Sequence, residues 1–305
     1  DERIYLWDLV VGIVCYDMSG ELLFQLNARG QGPGEYTDIN AFAVNASLHQ
    51  LVIYDNMKQS LMFYSTEDGR FVKSEKFNKP TPAEIAYWGG YFFYHNRLHR
   101  NYQDDISLHY YLLASKDGIT IGKRYFKHEN NKEDYPFSPS GHNLYDNNSK
   151  LYYCRDFDNI VYHEDSVVPR FRINLPNPLP ASMIEERPNE MSLLRSGYSL
   201  GITDIYEYGG LLFFRFVKDG YIWSCLYNVE ESKQVYCAKR IKFLDSSLID
   251  TIDGIYKDCF YSILTPEYLD YAFSENPLED YPDLFKTYDV EGDNPVIAFY
   301  RAVVR

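Results

Sequence analysis

Several features are missing from this 305-residue sequence, and each absence closes off a class of function. No stretch approaches the roughly 18 consecutive apolar residues of a membrane-spanning helix. Positive charge is scarce: 30 Lys and Arg stand against 44 Asp and Glu, a net charge of −14. Such a surface repels phosphates and carries no basic stripe, which excludes nucleic acid as a partner. The five cysteines show no CxxC spacing, which argues against a zinc site. Cys15, Cys154, Cys225, Cys237 and Cys259 mostly lie in apolar strand contexts, where a buried thiol is ordinary. There is no HExxH glutamate and no GxSxG elbow, so a zincin and an α/β-type serine hydrolase have no support.

What is present points to strands. Aromatics make up 17% of the chain, with 30 Tyr and 19 Phe. Flat rings suit a pleated, half-buried surface. The acidic residues are unevenly placed: thirteen lie between Asp245 and Asn294 against Lys257 and Lys286 alone, so −11 of the net −14 falls there.

A unit recurs along the chain. Ile4–Asp8, Ile13–Asp17 and Leu22–Phe24 are followed by Leu51–Asp55, Leu61–Tyr64 and Phe71–Val72, then by Tyr91–Tyr94, Tyr110–Leu113 and Ile119. The turn glycines between the last two strands, Gly20, Gly69 and Gly118, are 49 residues apart each time. That is the length of a four-stranded propeller blade. The fold class expected is therefore all-β, a six-bladed β-propeller of four-stranded antiparallel blades in a single domain. Its blades fall near 1–29, 37–78, 83–127, 137–175, 201–244 and 247–305. A loop insertion is expected near 176–200, and the spacing of Tyr268, Leu269, Ala272 and Phe273 predicts a helical insertion near 266–286.

The turn Gly30-Gln31-Gly32-Pro33-Gly34-Glu35-Tyr36, the strands Ile53-Tyr54-Asp55 and Met62-Phe63-Tyr64, and Asn294-Pro295-Val296 together resemble the NHL-like six-bladed propellers. These are abundant as exported lipoproteins of Bacteroidetes. The resemblance implies an envelope address, periplasmic or tethered to the outer membrane, and an upstream lipoprotein signal. It implies no particular activity.

Innermost strands of a propeller surround its axis, and loops at one end form the usual binding face. Such strands are expected to start near Asp38, Glu84, Gly141, Asp204 and Asp250. Carboxylates of Asp38, Glu84, Asp204 and Asp253 could then converge, with Ca²⁺ as the ion that suits oxygen ligands. Acids at strand edges that simply face solvent are the competing account. Arg29, Glu35, Tyr36, His142 and Tyr206 are the candidate ligand-binding residues. The Gly30–Tyr36 turn could offer N–H groups to an anion, or serve only as a connector between blades. His95 and His99 read as part of a polar loop. Two functions from different classes follow. One is a monomeric, non-catalytic binding or scaffold module for a glycan, peptide or protein. The alternative is a metal-assisted hydrolase or lyase at an acidic site.

Two structural expectations complete the reading. Cys225 and Cys237 should face each other across a hairpin centred on Glu231, as two thiols. The first blade should hold three strands or fewer, because Ile4 opens on what corresponds to its neighbours' second strand. An upstream segment is expected to supply the missing inner strand and to pair with blade six.

Overall fold

The computed structural model describes the chain except residues 1, 78–80, 97–105, 128–140, 148–149, 164–166, 187, 240–251, 276–287, 290–291, 293 and 302–305. It divides into two compact units, residues 1–134 and 135–305.

The first unit holds three antiparallel meanders. The first comprises β1 (Arg3–Asp8), β2 (Gly12–Asp17) and β3 (Leu22–Leu26). The second comprises β4 (Ala41–Asn45), β5 (Gln50–Asp55), β6 (Ser60–Ser65) and β7 (Phe71–Lys76). The third comprises β8 (Pro82–Trp88), β9 (Tyr91–Asn96), β10 (Tyr110–Ser115) and β11 (Ile121–Lys127). β4 and β8 touch each other, as innermost strands of adjacent blades do.

The second unit repeats the pattern. β12 (Leu144–Asp146), β13 (Leu151–Cys154), β14 (Ile160–His163) and β15 (Pro169–Arg172) form one sheet. An excursion with two short helices, α1 (Ala181–Glu185) and α2 (Glu190–Leu194), fills the predicted insertion. The next sheet is β16 (Ser199–Tyr208), β17 (Leu211–Lys218), β18 (Tyr221–Asn228) and β19 (Lys233–Ala238). The last is β20 (Gly254–Tyr256), β21 (Cys259–Leu264) and β22 (Val296–Tyr300), with the helix α3 (Pro266–Glu275) between β21 and β22. Here β12, β16 and β20 touch one another. The fold class is a six-bladed β-propeller.

The three glycine turns are equivalent. Gly20, Gly69 and Gly118 each join the last two strands of their sheet, with φ of 88°, 72° and 84°. Each of those ladders also carries a bulge, at Cys15/Tyr16, Phe63/Tyr64 and Ala114/Ser115. By that alignment β1 matches the second strands β5 and β9, and the first sheet has three strands among the described residues.

The tyrosine content has a packing explanation. Tyr36, Tyr54, Tyr64, Tyr94 and Tyr152 are all buried to 1% exposure or less. A buried phenol needs a partner for its hydroxyl. Tyr64 donates to the Gly34 carbonyl at 3.0 Å and Tyr94 to the Gly118 carbonyl at 2.6 Å. The rings thus pack the core while their hydroxyls tie down glycine turns. Each such ring contributes on the order of 2 kcal/mol by its burial.

Two expectations are corrected here. Cys225 and Cys237 are directly opposed, as foreseen, but they are bonded as a disulfide with Cα atoms 4.1 Å apart. Opposed residues of an antiparallel pair come within reach of a bridge without any framework of other disulfides. His95 does not lie in a polar loop, because β9 continues through Asn96 and both residues are buried. His99 lies outside the described residues, as does Asp250.

Candidate functional site

In the second unit, the region where β12, β16 and β20 meet brings together two of the predicted acids. β16 is irregular there: its register against β17 shifts between Thr203 and Tyr206, and Asp204 adopts a left-handed φ of 52°. A non-glycine residue in that region marks a position held by its surroundings. The holding groups are explicit. Arg215 Nε of β17 donates to Asp204 Oδ2 at 2.8 Å, and Thr203 Oγ1 donates to the same oxygen at 2.6 Å. Asp253, just before β20, accepts the Ile263 N–H on Oδ2 at 2.7 Å, while its own N–H donates to the Tyr261 carbonyl at 2.9 Å.

These groups share one electrostatic environment. Burial works against the Arg215 charge, yet Asp204, by charge and hydrogen bond, and then Asp253 outweigh it and raise the guanidinium pKa. Burial pushes the Tyr206 phenol well up, and Asp204, Tyr261, Tyr145 and Asp253 add to that. Tyr261 is pushed up to about 12 by burial first, then by Asp253 and Asp146. The result is an ion pair walled by neutral tyrosines. Its cation is an arginine of the chain itself, and a guanidinium bound to carboxylate is a positioned charge rather than an acid or base at neutral pH.

Arg215 was not anticipated from sequence, although a signal exists. It is the one charged residue inside the apolar run Leu211–Val217, and a charge in such a run requires a buried partner. Glu207 was missed likewise. It accepts from Arg170 Nη2 at 2.9 Å and from the Tyr152 hydroxyl, which joins β16 to β13 and β15.

The remaining predicted residues fall elsewhere. Asp38 is exposed and Glu84 half-buried on β8, both in the first unit. Among the described residues no three His, Cys, Asp or Glu side chains are grouped to hold a metal ion. His142 is exposed, and its carbonyl accepts the Tyr145 hydroxyl. Tyr36 and Tyr206 are core residues, with 0% and 6% exposure, so neither ring is open for stacking on a ligand.

The Gly30–Tyr36 turn connects β3 to β4. Its backbone does bind a carboxylate, but that carboxylate belongs to Glu35, whose Oε2 accepts the Gly32 N–H at 2.7 Å. A Cβ added at Gly30 would lie 2.1 Å from the same oxygen. The second sheet secures the turn further. Lys58 Nζ donates to the Glu35 carbonyl at 2.6 Å, and Asp55 Oδ2 accepts the Thr37 N–H at 2.6 Å. Arg29 points away, donating to the Leu9 carbonyl at 3.1 Å. An anion for this turn is thus supplied from within the chain.

Comparison with known proteins places the chain in a family. Residues 1–301 match the domain of unknown function DUF4934, and the chain belongs to that family. No curated protein is significantly similar. Among solved structures, the "Putative exported protein" of Bacteroides fragilis NCTC 9343 is similar over 98% of this chain and 87% of its own, with 17% identity and a TM-score of 0.78. A DUF4221 member from Bacteroides vulgatus covers 76% of both chains at 11% identity and a TM-score of 0.48. BamB from Moraxella catarrhalis aligns over 78% of this chain and 63% of its own, at 9% identity and a TM-score of 0.39. The first of these likenesses establishes the shared fold.

Proposed function

We propose that the chain is a non-catalytic binding or scaffold propeller of the cell envelope. On this reading it has NHL-like repeats, is exported and lipid-tethered, and recognises a glycan, peptide or protein. The observation that carries the reading is the commitment of the converging acids to the fold. Asp204 is held by Arg215 and Thr203, and Asp253 holds the Ile263 N–H of β21. Carboxylates used in this way stabilise a rigid scaffold, and a rigid scaffold presents loops. The envelope address draws support from the similar B. fragilis protein, described as exported.

A thermal-shift screen against divalent cations and a glycan panel tests the proposal, since a ligand specific to the native state raises the apparent melting temperature. A glycan that raises it, with cations inert, supports the binding module. A rise with Ca²⁺ that Asp204→Asn abolishes would replace this reading by the metal-assisted enzyme.

A further inference from the structure

The β1–β2 hairpin of the first unit ends in Leu9-Val10-Val11, exposed by 68%, 80% and 39%. Trp7 at its base is 41% exposed. Three consecutive exposed apolar residues are a fault in a soluble surface unless they serve a purpose. We propose that this tip docks the protein onto a lipid surface.

Backbone chemistry favours lipid. Polar backbone groups entering a bilayer must be satisfied from within the protein. Four of them at this tip are. Asp8 Oδ1 accepts the Val10 N–H at 2.7 Å and the Val11 N–H at 2.9 Å. Arg29 Nη2 donates to the Leu9 carbonyl at 3.1 Å, and Gln25 Nε2 to the Val11 carbonyl at 2.8 Å. The tip's own acid, Asp8, is consumed by that task. Three partners thus fix the loop before it meets anything, which lowers the entropy lost on docking.

The base of the tip matches a headgroup layer. Trp is enriched at membrane–water interfaces, and the exposed guanidinium of Arg29 stands beside the tip to meet a lipid phosphate. An exposed apolar tip whose polar flank is a single guanidinium suits a deformable lipid layer better than a shaped protein pocket. Leu48 and Met57 are exposed singly, whereas Leu22–Leu23 and Phe71–Val72 form exposed pairs on strands; the run of three in a hairpin turn is at Leu9–Val11.

Co-sedimentation of the 305-residue chain with unilamellar vesicles tests this, using pure phosphatidylcholine and a mixture of phosphatidylethanolamine with phosphatidylglycerol. The chain should partition onto both. Leu9→Asp with Val10→Asp should cut partitioning by about tenfold or more. Leu48→Asp with Met57→Asp should leave it unchanged, and R29Q should weaken it, by freeing the Leu9 carbonyl and removing the guanidinium that meets a lipid phosphate. Circular dichroism and melting temperature would confirm that every variant is folded. Failure of the unaltered chain to sediment, or equal sedimentation of the Leu9/Val10 variant, would overturn the proposal.

Discussion

The Asp204–Arg215 pair offers a direct way to separate a structural ion pair from a ligand set awaiting a cation. Asp204 and Arg215 side chains retain 11% and 21% exposure, and their atoms are 2.8 Å apart. Removing one partner of a buried pair costs about 3–5 kcal/mol. The residual exposure lowers that to about 2–3 kcal/mol for Asp204→Asn, which leaves the Arg215 charge facing Asp253 alone. Arg215→Met should cost a similar amount, since it leaves Asp204 and Asp253 without their common counter-charge. The double variant should be less destabilised than the sum of the two, with a coupling of about 1–2 kcal/mol. Thermal unfolding in buffer containing EDTA supplies all four corners of the cycle. A rise in melting temperature for Asp204→Asn would refute the reasoning, because it would mean that the acids repel one another and are short of a cation.

Three further outcomes follow from local geometry. Gly201→Ala should cost about 3 kcal/mol or prevent folding, because φ is +98° and the new Cβ would lie 2.6 Å from the Phe157 backbone; Gly209→Ala, with nothing within 4 Å, should cost only about 1 kcal/mol, and equal melting temperatures would contradict this. Reduction should lower stability by about 2–3 kcal/mol through the Cys225–Cys237 bridge, whose sequence separation is 12; alkylation of both cysteines without reductant, seen by mass spectrometry, would show the bridge to be absent. Tyr261, raised to about 12, favours its neutral form in the folded chain, so its contribution is complete below pH 10 and declines between pH 10 and 12. Tyr261→Phe should therefore flatten the alkaline decline in melting temperature, and an unchanged slope would count against it.

Architecture was legible where a period repeated. The 49-residue spacing of Gly20, Gly69 and Gly118 marks one hairpin in each of three blades, and the alternation around it places the strands. Side-chain partners were less legible, for a physical reason. Tyr206, a candidate ligand-binding residue from sequence, packs edge-on against Tyr145 at 6.0 Å within the core. Phenols serve both settings, and only the burial of their hydroxyl's partner decides between them. The cysteine pair failed differently: its register followed from hairpin symmetry, but the oxidation state depends on a distance of closest approach that register alone does not fix.

The glycine-rich turn shows how the chemistry of a motif can be met from within the chain. Glycines at 30 and 32 leave room for an anion beside the Gly32 N–H, and a carboxylate does occupy that room. Nothing in the spacing says whether the anion arrives from solution or from three residues downstream. A tethered carboxylate has an effective concentration far above that of any free ligand, so the internal anion wins whenever the turn lets it reach. Glu35 reaches, and Lys58 then holds the carbonyl that positions it. Removing the side chain by Glu35→Ala should therefore cost about 1–2 kcal/mol, through loss of a hydrogen bond to a charged acceptor. It should also leave the Gly32 N–H open to formate or acetate, which would restore part of the lost melting temperature. Loss without any rescue would mean that the carboxylate acts by shaping the turn and not by satisfying its amide.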